Sequence, residues 1–168
     1  MPRSYDLAAD YGCSVALVHG AFADKTYWLE RLEASGCDAA TLDYLAIGED
    51  GCLDIATTQT VSSSRLPGLI RQLRAGDLTL IRAESWSPVR DGRAAGTITG
   101  TAPGAPVNFS GKAVLSTTDA GTHLDVHATV EVRIPLVGGK AEEFIGGQLA
   151  EMVRLEQEFT SAWITDRA

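Results

Sequence analysis

Glu156 has the clearest chemical potential in this sequence, because it lies in the middle of an apolar helical face. Counting 100° per residue from Ala141 places five apolar residues in the same arc: Ile145, Leu149, Met152, Phe159 and Trp163. A carboxylate among apolar side chains must find a cationic partner, reach water or bind a proton. We favour a structural role, in which the side chain either extends its carboxylate to water or pairs with an arginine; the alternative is a polar anchor inside a ligand tunnel.

A second pattern with possible chemistry is His-x-Asp-x-His at residues 123–127. The alternate positions of this strand form its apolar face: Leu124, Val126, Ala128, Val130 and Val132. The histidines therefore face the other way, towards solvent. Positions i and i+4 of a strand also lie roughly 13 Å apart, too far to share one ion. We predict no metal site.

Arg82, Glu84 and Trp86 alternate along another strand, and the pattern alone does not show which face they occupy. We expect Arg82 and Glu84 to form an outward cross-strand pair; inward, they would be a buried pair and a candidate polar site. Cys13 and His19 are six residues apart on one helix and do not face each other. The chain also lacks G-x-S-x-G, G-x-G-x-x-G and phosphate-loop motifs. We therefore identify no catalytic motif, lean against an enzyme and predict no cofactor.

Composition narrows the class of partner. The 168 residues carry a formal net charge of −8 and a pI near 4.8, which argues against nucleic acid and anionic membranes. No apolar stretch is long enough to span a bilayer, so we expect no integral membrane association. Asp6 and Asp10 lie where a signal peptide would be apolar, and the three cysteines form no C-x-x-C. We expect one cytoplasmic domain over residues 1–168, with its oligomeric state left open.

The order of elements predicts an α+β fold. A strand over residues 3–10 precedes two short helices capped by Ser14 and Asp24. Three hairpins follow, with turns at "EDG", "RDG" and "TDAG", which is typical of an antiparallel meander. A connector between the first two hairpins has an apolar helical face, either a lid at a tunnel mouth or a plug for one end of the core: Leu66, Leu69, Ile70 and Leu73.

A long amphipathic helix follows Pro135 and should lay its apolar arc on the sheet. It accepts four glycines, although each interior glycine costs a helix roughly 0.5–1 kcal/mol relative to alanine. Gly138 and Gly139 fit the helix entry better than an anion site with Lys140. For the interior pair, residues 146–147, we favour close backbone packing over a bend that leaves space beneath.

Three segments carry a family resemblance that covers essentially the whole chain: "SYDLAADYGCSVALVHGAFADKTYWLERL", "RLPGLIRQLRAGDL" and "VRIPLVGGKAEEFIGGQLAEMVRLEQEFTSAWI". The sequence resembles the START-like superfamily (SRPBCC, polyketide cyclase-like, Bet v 1-like or helix-grip). Within it, the chain looks like an uncharacterised actinobacterial family of unknown function. The resemblance implies a curved antiparallel sheet wrapped around the C-terminal helix, with a tunnel between them. Relatives bind hydrophobic molecules there, and some cyclise polyketides; no catalytic residue carries over by position.

The leading hypothesis is therefore a binding protein that transports, stores or senses a lipid or polyketide-like ligand. The alternatives are a cyclase or aromatase acting in the same tunnel, and an interaction module with a filled core. The residues that would line the tunnel are equally ordinary core residues by pattern: Trp28, Trp86, Phe109, Phe144, Ile145, Leu149, Met152, Glu156 and Phe159.

Overall fold

The computed structural model describes residues 2–71 and 76–168, and in these ranges seven strands form one curved antiparallel sheet. The strands are β1 (Arg3–Tyr11), β2 (Ala39–Ile47), β3 (Leu53–Val61), β4 (Leu78–Trp86), β5 (Arg93–Thr101), β6 (Val107–Thr118) and β7 (Gly121–Val132). Their order in the sheet is β1-β7-β6-β5-β4-β3-β2. The helices are α1 (Val15–Phe22), α2 (Lys25–Ala34), α3 (Gly68–Arg71) and α4 (Gly138–Asp166), with a 3-10 turn at Ser63–Arg65. The predicted fold class is confirmed.

The two opening helices begin where their capping residues predict. The Ser14 hydroxyl accepts a hydrogen bond from the amide of Leu17 at 3.2 Å, and Asp24 accepts one from the amide of Thr26 at 2.8 Å. Both caps satisfy backbone amides that the first helical turn leaves without partners. Within α2, Trp28 and Leu32 are buried, whereas Leu29 is exposed.

The hairpin turns have the backbone geometry that their sequences require. Asp91 and Gly92 both have positive φ angles, 53° and 70°, in the turn between β4 and β5. Two consecutive positive φ angles are typical of the tight turns that match the twist of paired strands. Strands β6 and β7 then pair from Thr118 opposite Gly121 to Val107 opposite Val132.

The core lies between the inner face of the sheet and α4. The predicted apolar face of β7 is buried along its length: Leu124, Val126, Ala128, Val130 and Val132. On the opposite face, His127 contacts Asp6 at 2.8 Å and His123 contacts Asp10 at 2.7 Å. The histidines thus lie on the outer face as predicted, each beside an exposed aspartate of β1.

The connector between the first two hairpins is described only in part. Leu66 is buried in the core. The side chains of Leu69 and Ile70, and the whole of Leu73, lie outside the described residues. The proposed lid therefore remains a prediction. Separately, no helix in the described ranges is both long and apolar enough to cross a membrane.

The entry to α4 is tied tightly to the end of β7. The helix begins at Gly138, three residues after Pro135. A Cβ on Gly138 would lie 2.7 Å from the carbonyl oxygen of Val132, so glycine is required for this approach. Glu142 is fully buried one turn later and accepts a hydrogen bond from the amide of Val132 at 2.9 Å. The first glycine pair is at the helix entry, as predicted.

The second glycine pair divides into two different positions. Gly146 is buried under the ring of Tyr5, and a Cβ there would overlap the ring atoms. The Tyr5 hydroxyl also donates to the carbonyl of Glu142 at 2.9 Å, so its ring lies across one turn of the helix. Gly147 is exposed, with open space where a Cβ would stand. The favoured explanation, close packing, is thus correct for Gly146. It does not explain Gly147, where a Cβ would contact nothing.

We predict opposite effects of alanine at these neighbouring positions. Gly146→Ala should lower the free energy of unfolding by about 1–3 kcal/mol, because the new methyl group forces Tyr5 out of its contact. Gly147→Ala should raise it by about 0.5–1 kcal/mol through helix propensity alone. Urea denaturation of both variants measures these changes. A Gly146→Ala protein as stable as the wild type would contradict the packing explanation.

Candidate functional site

Four charged side chains from three elements meet between the sheet and α4. Glu156 of α4 contacts Arg31 of α2 at 2.5 Å, from Oε1 to Nη2. Its carboxylate also accepts two hydrogen bonds from Arg82 of β4, at 2.7 and 3.1 Å. Arg82 in turn contacts Glu84 at 3.0 Å. The cluster therefore contains two positive and two negative groups, with Glu156 as the link between sheet and helices.

The expectation that Arg82 and Glu84 face outward is wrong. Their relative exposures are 7% and 5%, and Trp86 on the same face is 3% exposed. Ile81, one residue out of phase, is 40% exposed instead. Because Ile81 is apolar, the alternation favours the wrong face of the strand. The charged residues lie inside because Arg82 has a partner on another element, which the sequence of one strand does not show. In contrast, one of the two structural roles favoured for Glu156, pairing with an arginine, is confirmed.

Arg31 is held in place by aromatic residues of its own helix. Its guanidinium lies 4.6 Å from the centre of the Trp28 ring, within the range of cation–π attraction. Its Nη1 donates to the Tyr27 hydroxyl at 3.1 Å, and that hydroxyl lies 2.7 Å from the hydroxyl of Thr160. Thr160 donates to the carbonyl of Glu156 at 2.7 Å. The arrangement fixes the guanidinium relative to α4.

The electrostatics of the cluster favour the charged form of Glu156. Burial raises its pKa, but the charges of Arg31 and Arg82 outweigh burial and bring the pKa to about 2. Burial also raises the pKa values of the nearby phenols of Tyr11 and Tyr27, and there the neighbouring charges do not outweigh it. At neutral pH, the site thus presents an ionised carboxylate beside phenols that keep their protons.

Two spaces adjoin this cluster. An inner cavity of about 60 Å³ lies between the sheet and α4, with a lining that is mostly apolar. A groove of about 540 Å³ lies between α2, α4 and strands β3 and β4, and is open to solvent. Four residues line both spaces and form the partition between them: Arg31, Arg82, Met152 and Glu156. The inner cavity alone is small for a lipid, whose pockets usually measure several hundred Å³.

The predicted lining residues fall into three groups. Those that line the inner cavity are Trp86, Phe109, Leu149, Met152 and Glu156. Those that line the groove are Trp28, Met152, Glu156 and Phe159. Phe144 and Ile145 are half-buried against the core and stand outside both linings. The structure thus brings most of the predicted set to these two spaces, and Phe144 and Ile145 to neither.

Sequence reasoning missed Arg31 and Tyr27. Both lie on the inward face of α2 beside Trp28, at relative exposures of 9% and 0%. Their spacing was a usable signal: Arg31 follows Tyr27 by four residues and Trp28 by three, so all three share one helical face. An arginine on the same face as a buried tryptophan indicates a buried cation that needs a carboxylate. Glu156, whose arginine partner the sequence did not identify, supplies that carboxylate.

Cys13 and His19 do not form a pair. The His19 ring lies 3.0 Å from the carbonyl oxygen of Ser87, which occupies one of its two nitrogens. Burial raises the pKa of the Cys13 thiol, which favours its unreactive protonated form. In the described ranges no group of three acidic, histidine or cysteine side chains is arranged to hold a metal ion.

The cluster generates a prediction about acid stability. The folded-state pKa of Glu156 lies below its ordinary value of 4.5, so its stabilising effect is complete above that value and is lost as the pH falls towards 2. Glu156→Gln should cost about 3 kcal/mol at pH 7, because it leaves two buried arginines without their shared partner. The gap from the wild type should narrow at pH 3.

Urea denaturation of both proteins at pH 7 and pH 3 measures that gap. Glu158→Gln is the matched control, since Glu158 is exposed on the same helix and pairs with Arg154 on its surface. Its cost should be at most about 0.5 kcal/mol. An equal cost for the two variants at pH 7 would contradict a special role for Glu156.

Solved structures share this architecture at low sequence identity. A protein from Thermus thermophilus is similar over 100% of this chain and 99% of its own, with a TM-score of 0.61 and 13% identity. The protein Ara h 8.0201 covers 99% of both chains, with a TM-score of 0.57 and 9% identity. A norcoclaurine synthase point mutant from Thalictrum, in complex with a transition-state analogue, gives a TM-score of 0.58 at 13% identity, covering 99% of this chain and 96% of its own. These similarities establish a Bet v 1-like helix-grip fold.

Sequence comparison gives a nearer relationship. An uncharacterised protein of Mycobacterium tuberculosis is 45% identical over 172 residues, which is 99% of each chain. A Mycobacterium bovis protein matches to the same extent. The model of a family described as a protein of unknown function, DUF2505, matches residues 6–164. With that match spanning nearly the whole sequence, the chain belongs to the DUF2505 family.

Proposed function

We propose that this protein binds a small hydrophobic molecule in the groove between α2 and α4, with part of the ligand entering the inner cavity. The observation that carries the proposal is that the two spaces adjoin, with the four residues of the partition lining both. Their volumes differ, at about 60 Å³ inside and about 540 Å³ in the groove. Binding is the activity; transport, storage or sensing are its possible uses.

The groove has the composition expected of a small-molecule site. Such sites are mostly apolar with a few placed polar groups. Most of its surface is apolar, from side chains that include Trp28, Leu32, Leu155 and Phe159. Its charged groups are two arginines and three glutamates: Arg31, Arg82, Glu151, Glu156 and Glu158. Leu155 is half exposed at the groove, which leaves apolar surface for a ligand to cover. The helix-grip relative solved with a transition-state analogue supports small-molecule binding in this fold class.

A cyclase-like enzyme is the second candidate, because carboxylate, guanidinium and phenol groups converge at the partition. Tyr27, Arg31 and Glu156 together have the types that acid–base chemistry uses. The electrostatics argue against it: a carboxylate with a pKa of about 2 is a weak base and holds no proton to donate near neutral pH. We therefore place binding ahead of catalysis.

The proposal predicts that a bulky residue in the groove blocks a neutral hydrophobic probe. N-phenyl-1-naphthylamine, whose fluorescence rises in apolar surroundings, should bind the wild-type protein with a stoichiometry near one. Gln148→Trp should weaken that binding about tenfold, because Gln148 lines the groove on an exposed turn of α4. Fluorescence titration measures both affinities.

Ala150→Trp is the matched control, since Ala150 is exposed on the same helix but outside the groove lining. Its affinity for the probe should equal that of the wild type. Native mass spectrometry of the purified protein adds a second readout, the mass of any co-purifying molecule. Absence of probe binding to the wild type, or equal binding by Gln148→Trp, would refute the groove as the site.

A further inference from the structure

The two arginines of the partition hold Glu156 in the way that a protein holds an anionic ligand. Arg82 forms a two-pronged contact with the carboxylate, and Arg31 reaches one of the same oxygens from another element. Paired guanidinium contacts of this kind are typical of carboxylate and phosphate recognition. Both arginines are about nine-tenths buried, whereas the Glu156 side chain is 26% exposed. The Glu156 side chain is thus the more accessible partner in the contact.

Each arginine of the partition also has contacts that do not involve Glu156. Arg31 keeps the Trp28 ring and the Tyr27 hydroxyl, and Arg82 keeps Glu84. Glu84 is itself fixed by a hydrogen bond from the Trp86 indole at 3.2 Å. With Glu156 turned away, two guanidinium groups would face one remaining carboxylate, leaving the cluster with a net positive charge. The buried Nε of Arg82 also has no hydrogen-bond partner among the described residues, so one donor there is unused.

Removal of the Glu156 side chain from this contact has a second consequence. Glu156 is one of the four residues that separate the inner cavity from the groove. Of the other three, Met152 is flexible and apolar, and the two arginines are anchored by their own partners. A ligand anion that takes the place of Glu156 therefore also opens the way for an apolar tail into the inner cavity.

We propose that the ligand is an amphipathic anion, with a carboxylate or similar head group that displaces Glu156 from Arg31 and Arg82 and an apolar tail. Glu156 occupies the head-group site in the empty protein. This inference rests on the proposed binding function and narrows it to a chemical class. It also accounts for the placement of a carboxylate in the apolar arc of α4: the residue neutralises the arginines until a ligand does so.

Decanoate and decanol test the proposal, because they share a ten-carbon chain and differ in the charge of the head group. Isothermal titration calorimetry at pH 7 gives the affinity of each probe for the wild type and for Glu156→Gln. The variant should bind decanoate about tenfold more tightly than the wild type does, since the neutral amide competes weakly for the arginines. Its affinity for decanol should change less than about twofold.

Two further variants make the result decisive. Glu158→Gln removes a charge that also borders the groove, and its gain for decanoate should stay well below that of Glu156→Gln. Glu156→Asp keeps the charge with a shorter arm, so it should fold even if the amide variant does not, and should show a smaller gain in the same direction. Binding of both probes without a decanoate-specific gain in either Glu156 variant would overturn the anionic-ligand inference alone. Failure of both probes to bind any of these proteins would overturn the binding function as well.

Discussion

The interior of this protein depends on the neutralisation of Arg82. A guanidinium that emerges from the middle of a sheet and is buried cannot stay without counter-charges, because transfer of an unpaired ion from water costs several kcal/mol. Glu84 on the same strand supplies one carboxylate and Glu156 on the C-terminal helix supplies the other. The second contact joins the sheet to the helix that covers it. It therefore fixes where α4 lies at the point where apolar packing alone leaves a cavity.

The same contact constrains the opening helices. Arg31 brings a second positive charge to Glu156 and would repel Arg82 without it. Helix α2 is thus positioned against α4 by three kinds of contact: the packing of the Tyr27 ring on Phe159 and Trp163, the Tyr27–Thr160 hydrogen bond and the Arg31–Glu156 ion pair. These contacts hold the core-facing sides of α2 and α4 together. The groove lies on the solvent side of the same contacts, where exposed side chains such as Leu155 border it.

Much of the fold followed from local chemistry in the sequence. Ser14 and Asp24 mark helix starts because their side chains satisfy backbone amides, and Asp91-Gly92 marks a hairpin because few residues accept two positive φ angles. The site was harder to predict, since its partners come from α2, β4 and α4. Glu156 was recognisable as an anomaly on its own helix. Arg82 was assigned to the wrong face because alternation along one strand does not show which face of the sheet meets a carboxylate.

The buried charges and two of the glycines both determine how α4 packs on the sheet. At its beginning the helix approaches the strands so closely that Gly138 and Gly146 have no room for a Cβ, against Val132 and Tyr5. Further along the helix the side chains at the interface become large, with Met152 and Glu156, and the inner cavity lies beneath. The helix is thus held by tight backbone contact at its beginning and by ionic contacts at Glu156, with Thr160 and Ile164 buried beyond that residue. A ligand that competes for the arginines would act at the Glu156 contact, which is ionic and partly exposed, and would leave the packed beginning of the helix unchanged.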